Sequence, residues 1–197
     1  EGYTCVRDLG CNDPFFNHSG LFMASRSSRV ADSIAFTPIA PEHTSGITYW
    51  CNRGLLTADI PMQDSQPLKV INIHLNAGSS PQDQESRLQQ FQHYIAPLVQ
   101  GQHALVVGDS NLDTAALSEG QKEIAGLSHL VNALEGKVTC TDEAKHTSNG
   151  KPREGCDDCQ ERIDVALFDP LRVAISDLKI QPGNSDHHAI SLFLRQA

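Results

Sequence analysis

Short β-like runs recur along the whole chain, and they constrain its fold more than any other feature. Segments such as LKVINIHL alternate polar and apolar side chains, which is typical of a strand with one buried face. Six runs of this kind alternate with turn-forming residues, and they cover residues 20–24, 53–60, 68–75, 104–107, 162–168 and 189–194. So many short strands predict a sheet protein and exclude a helical bundle.

Two helices interrupt this series of strands. Residues 81–100 follow a start signal of Ser79, Ser80 and Pro81, and their apolar positions have helical spacing. A second helix is predicted over residues 114–127, whereas residues 136–160 show no periodicity and are predicted to form a long loop. Mainly antiparallel strands with intervening helices favour an α+β or a layered α/β/α fold, and the pattern alone does not choose between them.

The size and charge of the chain indicate how many domains it forms and which partners suit it. The chain has 197 residues, 39% of them hydrophobic and 20% charged, and we find no internal repeat, so residues 1–197 are predicted to form a single domain. The formal net charge of -9 makes nucleic acid a less suitable partner, because binding to a polyanion depends largely on Lys and Arg. No apolar run approaches the roughly 20 residues that cross a bilayer, so we expect no transmembrane segment.

The six cysteines leave two interpretations open. Cys156 and Cys159 have the spacing of a zinc site, which Cys140 and His146 would complete. Disulfide bonds are the alternative, and they would place the protein in an oxidising compartment. The sequon that begins at Asn17 is compatible with secretion, so a secreted or extracytoplasmic location is our expectation.

Four segments bring polar side chains to the ends of predicted strands. Each one alone is also typical of an ordinary turn, capping residue or ion pair. Together, and in this order, they suit phosphoryl chemistry: NIHLNAG around His74, VVGDSNLD around Asp109 and Asn111, ERIDVALF around Asp164, and NSDHHAI around Asp186 and His187.

Hydrolysis of a phosphodiester needs a deprotonated water, neutralisation of developing charge and a proton for the leaving oxygen. Oxygen ligands such as Asp109, Asn111 and Asp186 suit a divalent cation such as Mg²⁺ or Mn²⁺. An imidazole can act as base or acid, and a buried carboxylate such as Asp164 can orient it. These residue types therefore suit metal-assisted hydrolysis of a phosphodiester.

The ordered set of HL after a strand, GDxN after an apolar run, IDxxxF, and SDH before a final strand resembles the endonuclease/exonuclease/phosphatase superfamily. The resemblance implies a deoxyribonuclease-I-like fold, a four-layered α/β/β/α sandwich of two packed, mainly antiparallel sheets. It implies a metal-dependent phosphodiesterase with metal binding by Asp109, Asn111 and Asp186, and with His187 as the general base that Asp164 supports. The five residues with implied catalytic roles are His74, Asp109, Asn111, Asp164 and His187.

Within this superfamily the chain looks closest to the neutral sphingomyelinases. The segments SGLFMASRSSRVADSIAF and CNRGLLTADI carry this likeness, and Arg87 and Gln90 on the helix after INIHLNAG continue it. The likeness implies a bridge between Cys11 and Cys51 and a sphingomyelin substrate, cleaved to ceramide and phosphocholine with transient membrane contact. We also expect three residues to bind substrate, namely Arg53, Asn76 and Asn149.

Two alternatives remain from the same residues. One is a nuclease or a phosphoinositide or sugar-phosphate phosphatase of the same superfamily, and the other is a degenerate member without catalytic activity. The superfamily normally opens with a strand bearing Asn and then a Gln-Glu motif whose glutamate binds the metal, and neither is found in this sequence. We therefore expect that several tens of N-terminal residues are missing or supplied by another chain, with weak metal binding and poor turnover as the result.

Overall fold

The computed structural model describes residues 4–7, 21–45, 53–62, 66–135, 137, 140–141, 160–161, 164–181 and 189–197. At residues 4–7, 115, 140–141, 160–161 and 196 it describes the backbone alone. In chain order the strands are β1 (Thr4–Arg7), β2 (Phe22–Ser25), β3 (Ala35–Pro38), β4 (Gly54–Ile60), β5 (Leu68–His74), β6 (Ala104–Asp109), β7 (Val131–Asn132), β8 (Cys140–Thr141), β9 (Gln160–Glu161), β10 (Asp164–Phe168), β11 (Val173–Gln181) and β12 (Ala189–Gln196).

The helices are short except for one segment after β5. They are α1 (Ser28–Asp32), α2 (Pro81–Gln90), α3 (Ala96–Val99) and α4 (Glu119–Ile124), with a π-helical turn at Phe91–Ile95 that joins α2 to α3 and 3-10 turns at Pro41–His43 and Thr114–Ala116. The first turn of α2 has a complete capping box, because the Ser80 hydroxyl accepts from the backbone N–H of Asp83 and the Asp83 carboxylate accepts from that of Ser80. Pro81 at the first helical position has no N–H to leave unpaired.

A mixed six-stranded sheet forms the centre, in the order β3-β4-β5-β6-β10-β7. Among these strands only β5 and β6 pair in parallel; the other neighbours are antiparallel. The parallel pair is joined by the helical segment 81–99, as a crossover between parallel strands requires.

The two faces of this sheet bury different groups of side chains. On one face Ile71, Ile73 and Val106 pack with Phe91 and Ile95 of the helical segment. On the other face a second group packs against partly buried side chains of β11 and β12, and its core members are Leu68, Leu105, Leu134, Ala166, Phe168 and Val173. The antiparallel pair β11-β12 therefore forms a second strand layer over the central sheet.

Strands β1 and β2 form a separate antiparallel pair near the same face. A cavity of about 470 Å³ lies between β2, the central sheet and β12, and it is lined mainly by apolar side chains. Phe22 and Met23 of β2, Val107 of β6, and Ile190 and Leu192 of β12 are among its walls.

The six predicted strands are present, and their ends differ from the prediction by at most two residues. Six strands were not predicted, namely β1, β3, β7, β8, β9 and β11. Strands β1, β3, β7, β8 and β9 have only two to four residues, and in β11 an irregularity near Asp177 interrupts the alternation of apolar side chains. The helix predicted over residues 81–100 is found, although a π-helical turn divides it. The second predicted helix was too long, since α4 covers Glu119–Ile124 and a 3-10 turn precedes it. Most of the loop predicted over residues 136–160 lies outside the described residues.

Candidate active site at the ends of three neighbouring strands

Strand register brings three of the predicted site residues into one row. His74 at the end of β5 pairs with Asp109 at the end of β6, and Asp109 pairs with Asp164 at the start of β10. Neighbouring strands are about 4.8 Å apart, so the row crosses about 10 Å of the sheet. Because paired residues in a sheet point to the same face, the three side chains lie on one side.

That side is the one covered by the second strand layer. Along β5 the buried Ile71 and Ile73 face the helical segment, so His74 faces the opposite way by alternation. By the same alternation, Asp109 points to the same face as Leu105, and Asp164 points to the same face as Ala166 and Phe168. Leu105, Ala166 and Phe168 are core residues on the second face of the sheet. The polar row therefore lies at the strand ends, on the face that packs against the second strand layer, and Asp164 also lines the apolar cavity.

Two side chains of the row are in direct contact. The Nε2 of His74 lies 3.6 Å from Oδ2 of Asp109, and their side chains are 30% and 16% exposed. Asp164 is more deeply buried, at 7% exposure. The row therefore contains one imidazole and two carboxyl groups, and their exposure falls from His74 to Asp164. Groups of these types can transfer protons and bind a cation.

Asn111 is held beside this row by two hydrogen bonds. Its backbone N–H donates to Oδ1 of Asp109 at 2.7 Å, and its Nδ2 donates to the carbonyl oxygen of Leu75 at 3.3 Å. The backbone of Asn111 has φ of 50°, a left-handed conformation that Asn tolerates better than most residues. Among the described residues nothing donates to its side-chain oxygen. That oxygen and the Asp109 carboxylate are two hard donors next to each other.

A glycine brings β5 and β6 close together just before Asp109. Gly108 has φ of +121°, and a Cβ at this position would overlap the carbonyl oxygen of Ile73 and come within 2.8 Å of Oδ1 of Asn72. Both the backbone conformation and the space exclude a larger residue. Gly108 therefore helps to set the register that aligns Asp109 with His74.

Behind the site, the loop after β5 rests on a buried polar network. Asn76 has no exposed surface, and its side chain accepts from the backbone N–H of Ser45 at 2.9 Å and donates to Oδ1 of Asp83 at 3.1 Å. The hydroxyl of Ser45 donates to the same oxygen of Asp83 at 2.5 Å. On the helix, Gln90 accepts from the backbone N–H of Asn76 at 3.0 Å, and Nη1 of Arg87 donates to the Asn76 carbonyl oxygen at 3.0 Å.

Two ionisable groups of this network have shifted pKa values. Hydrogen bonds from Ser45, Ser80 and Asn76 lower the pKa of Asp83 to about 2. Burial lowers the pKa of Arg87, and the carboxylates of Asp83 and Asp109 oppose this change. A pKa this low keeps Asp83 a carboxylate at neutral pH, so a buried charged acceptor with several hydrogen bonds supports the loop.

The predicted substrate-binding residues occupy different places. Arg53 is 8% exposed at the start of β4, where its carbonyl oxygen accepts from the backbone N–H of Ile39. The side chain of Asn76 is buried against Asp83 and has no exposed surface. It could contact a ligand only if the loop after β5 moved. Asn149 lies outside the described residues, and so do the predicted metal ligand Asp186 and the predicted base His187.

The predicted cysteine pairings also fall outside the part of the chain that the structure describes. Cys11, Cys51, Cys156 and Cys159 are not described, and only the backbone of Cys5 and Cys140 is. The contribution of Asp83 and Ser45 was not predicted. The segment SPQD at residues 80–83 carried a signal for it, because a serine followed three residues later by an acidic residue is a helix capping pattern.

Several solved structures have a similar arrangement of strands and helices. One is an endonuclease/exonuclease/phosphatase from Beutenbergia cavernae DSM 12333, with 18% identity and a TM-score of 0.54 over 83% of this chain and 44% of that one. The chain has the endonuclease/exonuclease/phosphatase fold. The predicted α+β, deoxyribonuclease-I-like fold class is therefore confirmed.

Two further structures share the endonuclease/exonuclease/phosphatase fold with this chain. A humanized TDP2 from D. rerio matches with 18% identity and a TM-score of 0.54 over 87% of this chain and 70% of that one. A mutant of beta toxin from Staphylococcus aureus with bound magnesium ions matches with 16% identity and a TM-score of 0.51 over 76% of this chain and 60% of that one. No protein-family model and no curated protein matches the sequence.

These identities of 16% to 18% show a common fold and leave the substrate open. The chain spans between 44% and 70% of the length of the three structures. In the described part of the chain, no helix combines the length and the apolar character needed to cross a membrane.

Proposed function

We propose that this chain carries a metal-dependent phosphodiesterase site and that its substrate is sphingomyelin, cleaved to phosphocholine and ceramide. The observation that carries the proposal is the row of His74, Asp109 and Asp164 on three neighbouring strands, with Asn111 beside it. Residues that are far apart in the sequence meet at the ends of neighbouring strands. The shared fold supports the general class of chemistry.

The donor set fits a divalent cation in part. The Asp109 carboxylate and the side-chain oxygen of Asn111 are adjacent hard donors, which Mg²⁺ and Mn²⁺ prefer. Within the described ranges, no group of three or more His, Cys, Asp and Glu side chains is placed to hold a metal ion. The remaining ligands would be the Asp186 carboxylate, waters and a phosphate oxygen. When bound, the cation would neutralise charge on the phosphate.

The side chains of the row can also move protons. His74 lies at the exposed end and contacts Asp109, so it can donate a hydrogen bond to a phosphate oxygen or a proton to the leaving oxygen. Asp164 is buried at the other end, where a carboxylate can orient an imidazole and stabilise its charged form. We propose that this imidazole is His187, acting as the general base on water.

The acidic charge of the chain favours a zwitterionic headgroup over a nucleic acid backbone. A net charge of -9 repels a polyanion at long range, whereas the phosphocholine headgroup of intact sphingomyelin, a phosphodiester, carries no net charge. The apolar cavity that includes Asp164 in its wall is compatible with a substrate that also has apolar parts.

A substrate panel tests the proposal. Sphingomyelin, lysophosphatidylcholine, plasmid DNA and an inositol phosphate are incubated with the protein in Mg²⁺, in Mn²⁺ and in EDTA. We expect release of phosphocholine from sphingomyelin that EDTA abolishes. Cleavage of DNA or of the inositol phosphate instead would assign the alternative substrates of the same fold.

Variants separate catalysis from binding. Asp109→Asn and His187→Ala should lower kcat by about 100-fold or more, the range for losing one group that acts in the transition state. Asp59→Asn is the matched control, since Asp59 lies on β4 with an exposed carboxylate that pairs with Lys69. If His187→Ala leaves hydrolysis of every substrate unchanged, the catalytic role is wrong.

A further inference from the structure

A buried arginine on α2, Arg87, donates hydrogen bonds to the loop that follows β5. The Nη1 of Arg87 on α2 donates to the carbonyl oxygen of Asn76 at 3.0 Å and to that of Gly78 at 2.7 Å. Arg87 is 6% exposed. Hydrogen bonds from a charged donor are about twice as strong as neutral ones, so these two bonds fix the loop firmly.

The same loop holds Asn111 from the other side. Leu75 precedes Asn76 directly, and its backbone N–H donates to the carbonyl oxygen of Asp109 at 3.0 Å. Its carbonyl oxygen accepts from Nδ2 of Asn111 at 3.3 Å. A displacement of the Asn76 backbone therefore displaces the group that orients the Asn111 side chain.

The arginine also carries a cost at this position. The Nε of Arg87 is buried and has no hydrogen-bond partner among the described residues. A buried donor without a partner costs about 1–3 kcal/mol, which offsets part of what the two bonds from Nη1 contribute. Gln90 already holds the same segment, because it accepts from the N–H of Asn76 and donates to the carbonyl oxygen of His43 at 2.6 Å.

We propose that Arg87 is a positioning residue for the reaction at this site. By fixing the carbonyl groups of Asn76 and Gly78 it fixes Leu75, and through Leu75 it sets the direction of the Asn111 side-chain oxygen toward cation or phosphate. This inference rests on the proposed function for its kinetic consequence. The orientation of Asn111 is a separate consequence that needs no substrate.

The test compares Arg87→Met and Arg87→Lys in the full chain with Glu85→Gln, an exposed position on the same helix. Urea unfolding gives the folded fraction, and all kinetics are measured where every variant is more than nine-tenths folded. We expect Arg87→Met to lower kcat about 10-fold with KM within two-fold of wild type, since the substrate does not contact Arg87. Arg87→Lys keeps one charged donor and should recover part of kcat.

The second readout is the pair of side-chain amide signals of Asn111 in ¹H–¹⁵N spectra, assigned by their loss in Asn111→Asp. These signals should shift in Arg87→Met and stay in place in Glu85→Gln. Unchanged kcat in a folded Arg87→Met, or Asn111 signals that stay in place in this variant, would overturn the inference. If the wild type hydrolyses no substrate, the proposed function fails, and the Asn111 signals alone decide whether Arg87 positions this side chain.

Discussion

Replacement of Asp83 by asparagine should destabilise the protein strongly, although it only replaces one carboxylate oxygen by an NH2 group. The two carboxylate oxygens of Asp83 accept four hydrogen bonds: from the Ser45 hydroxyl, Asn76 Nδ2, the Ser80 backbone N–H and the Ser80 hydroxyl. Whichever oxygen becomes an amide nitrogen, it then faces an N–H donor, either Asn76 Nδ2 or the Ser80 backbone. Either the Ser80 backbone N–H loses its acceptor, or Asn76 Nδ2 loses one of three acceptors and keeps the Ser45 hydroxyl and the Ala77 carbonyl oxygen. The remaining bonds to this side chain lose their ionic character.

The expected cost follows from these contacts. An unpaired buried donor costs about 1–3 kcal/mol, and a hydrogen bond to a charged group contributes about 1.5–3 kcal/mol. We expect a loss of about 3 kcal/mol in the free energy of unfolding, which is a large part of the stability of an ordinary domain. Urea unfolding at pH 7 measures it, with Glu85→Gln as the control for removing an acidic charge from the same helix.

The pH dependence gives an independent check. The pKa of Asp83 falls from its usual 3.8 to about 2 in the folded protein, so this carboxylate contributes stability above pH 3.8 that is lost as the pH falls toward 2. The contribution is about 1–2 kcal/mol after allowance for solvent screening, and about half of it should be lost at pH 3. A cost under 1 kcal/mol for Asp83→Asn at pH 7, or a difference from wild type that does not narrow at pH 3, would refute this account of the network.

Two further predictions concern the sheet. Gly108→Ala should lower the free energy of unfolding by about 2 kcal/mol or more, because a Cβ would overlap the carbonyl oxygen of Ile73 at a backbone φ of +121°. Gly101→Ala is the control, because Gly101 has φ of +68° and a Cβ there would meet nothing within 4 Å, so its cost should be only about 1 kcal/mol. Thermal unfolding measures both variants, and equal costs would contradict the role of the close approach at Gly108. Lys69→Gln should change stability by less than about 0.5 kcal/mol, because its 2.6 Å ion pair with Asp59 is exposed; a larger loss that persists in high salt would show that the pair is not an ordinary surface contact.

The sequence predicted six of the twelve strands that the structure describes, and it predicted polar residues at strand ends. Alternating apolar side chains predicted β5 well, because one face of that strand is buried against the helical segment. The motifs NIHLNAG and VVGDSNLD predicted that His74 and Asp109 stand at strand ends, which the structure confirms. The residues expected at the site from the end of the chain, Asp186 and His187, remain predictions.

The tertiary structure decided which polar groups lie at the strand ends and which are buried beneath them. No local pattern distinguishes Asn76 from Asn111, since both follow a strand and both are polar. The β5-β6 pair brings the carbonyl group of Leu75 to the side chain of Asn111, whereas helix packing buries Asn76 among Ser45, Asp83 and Gln90. The reason is physical: side-chain period and turn chemistry act over a few residues and can be read from the sequence. Burial and the partners of a polar group depend on contacts between segments that are tens of residues apart, and only the folded chain brings these together.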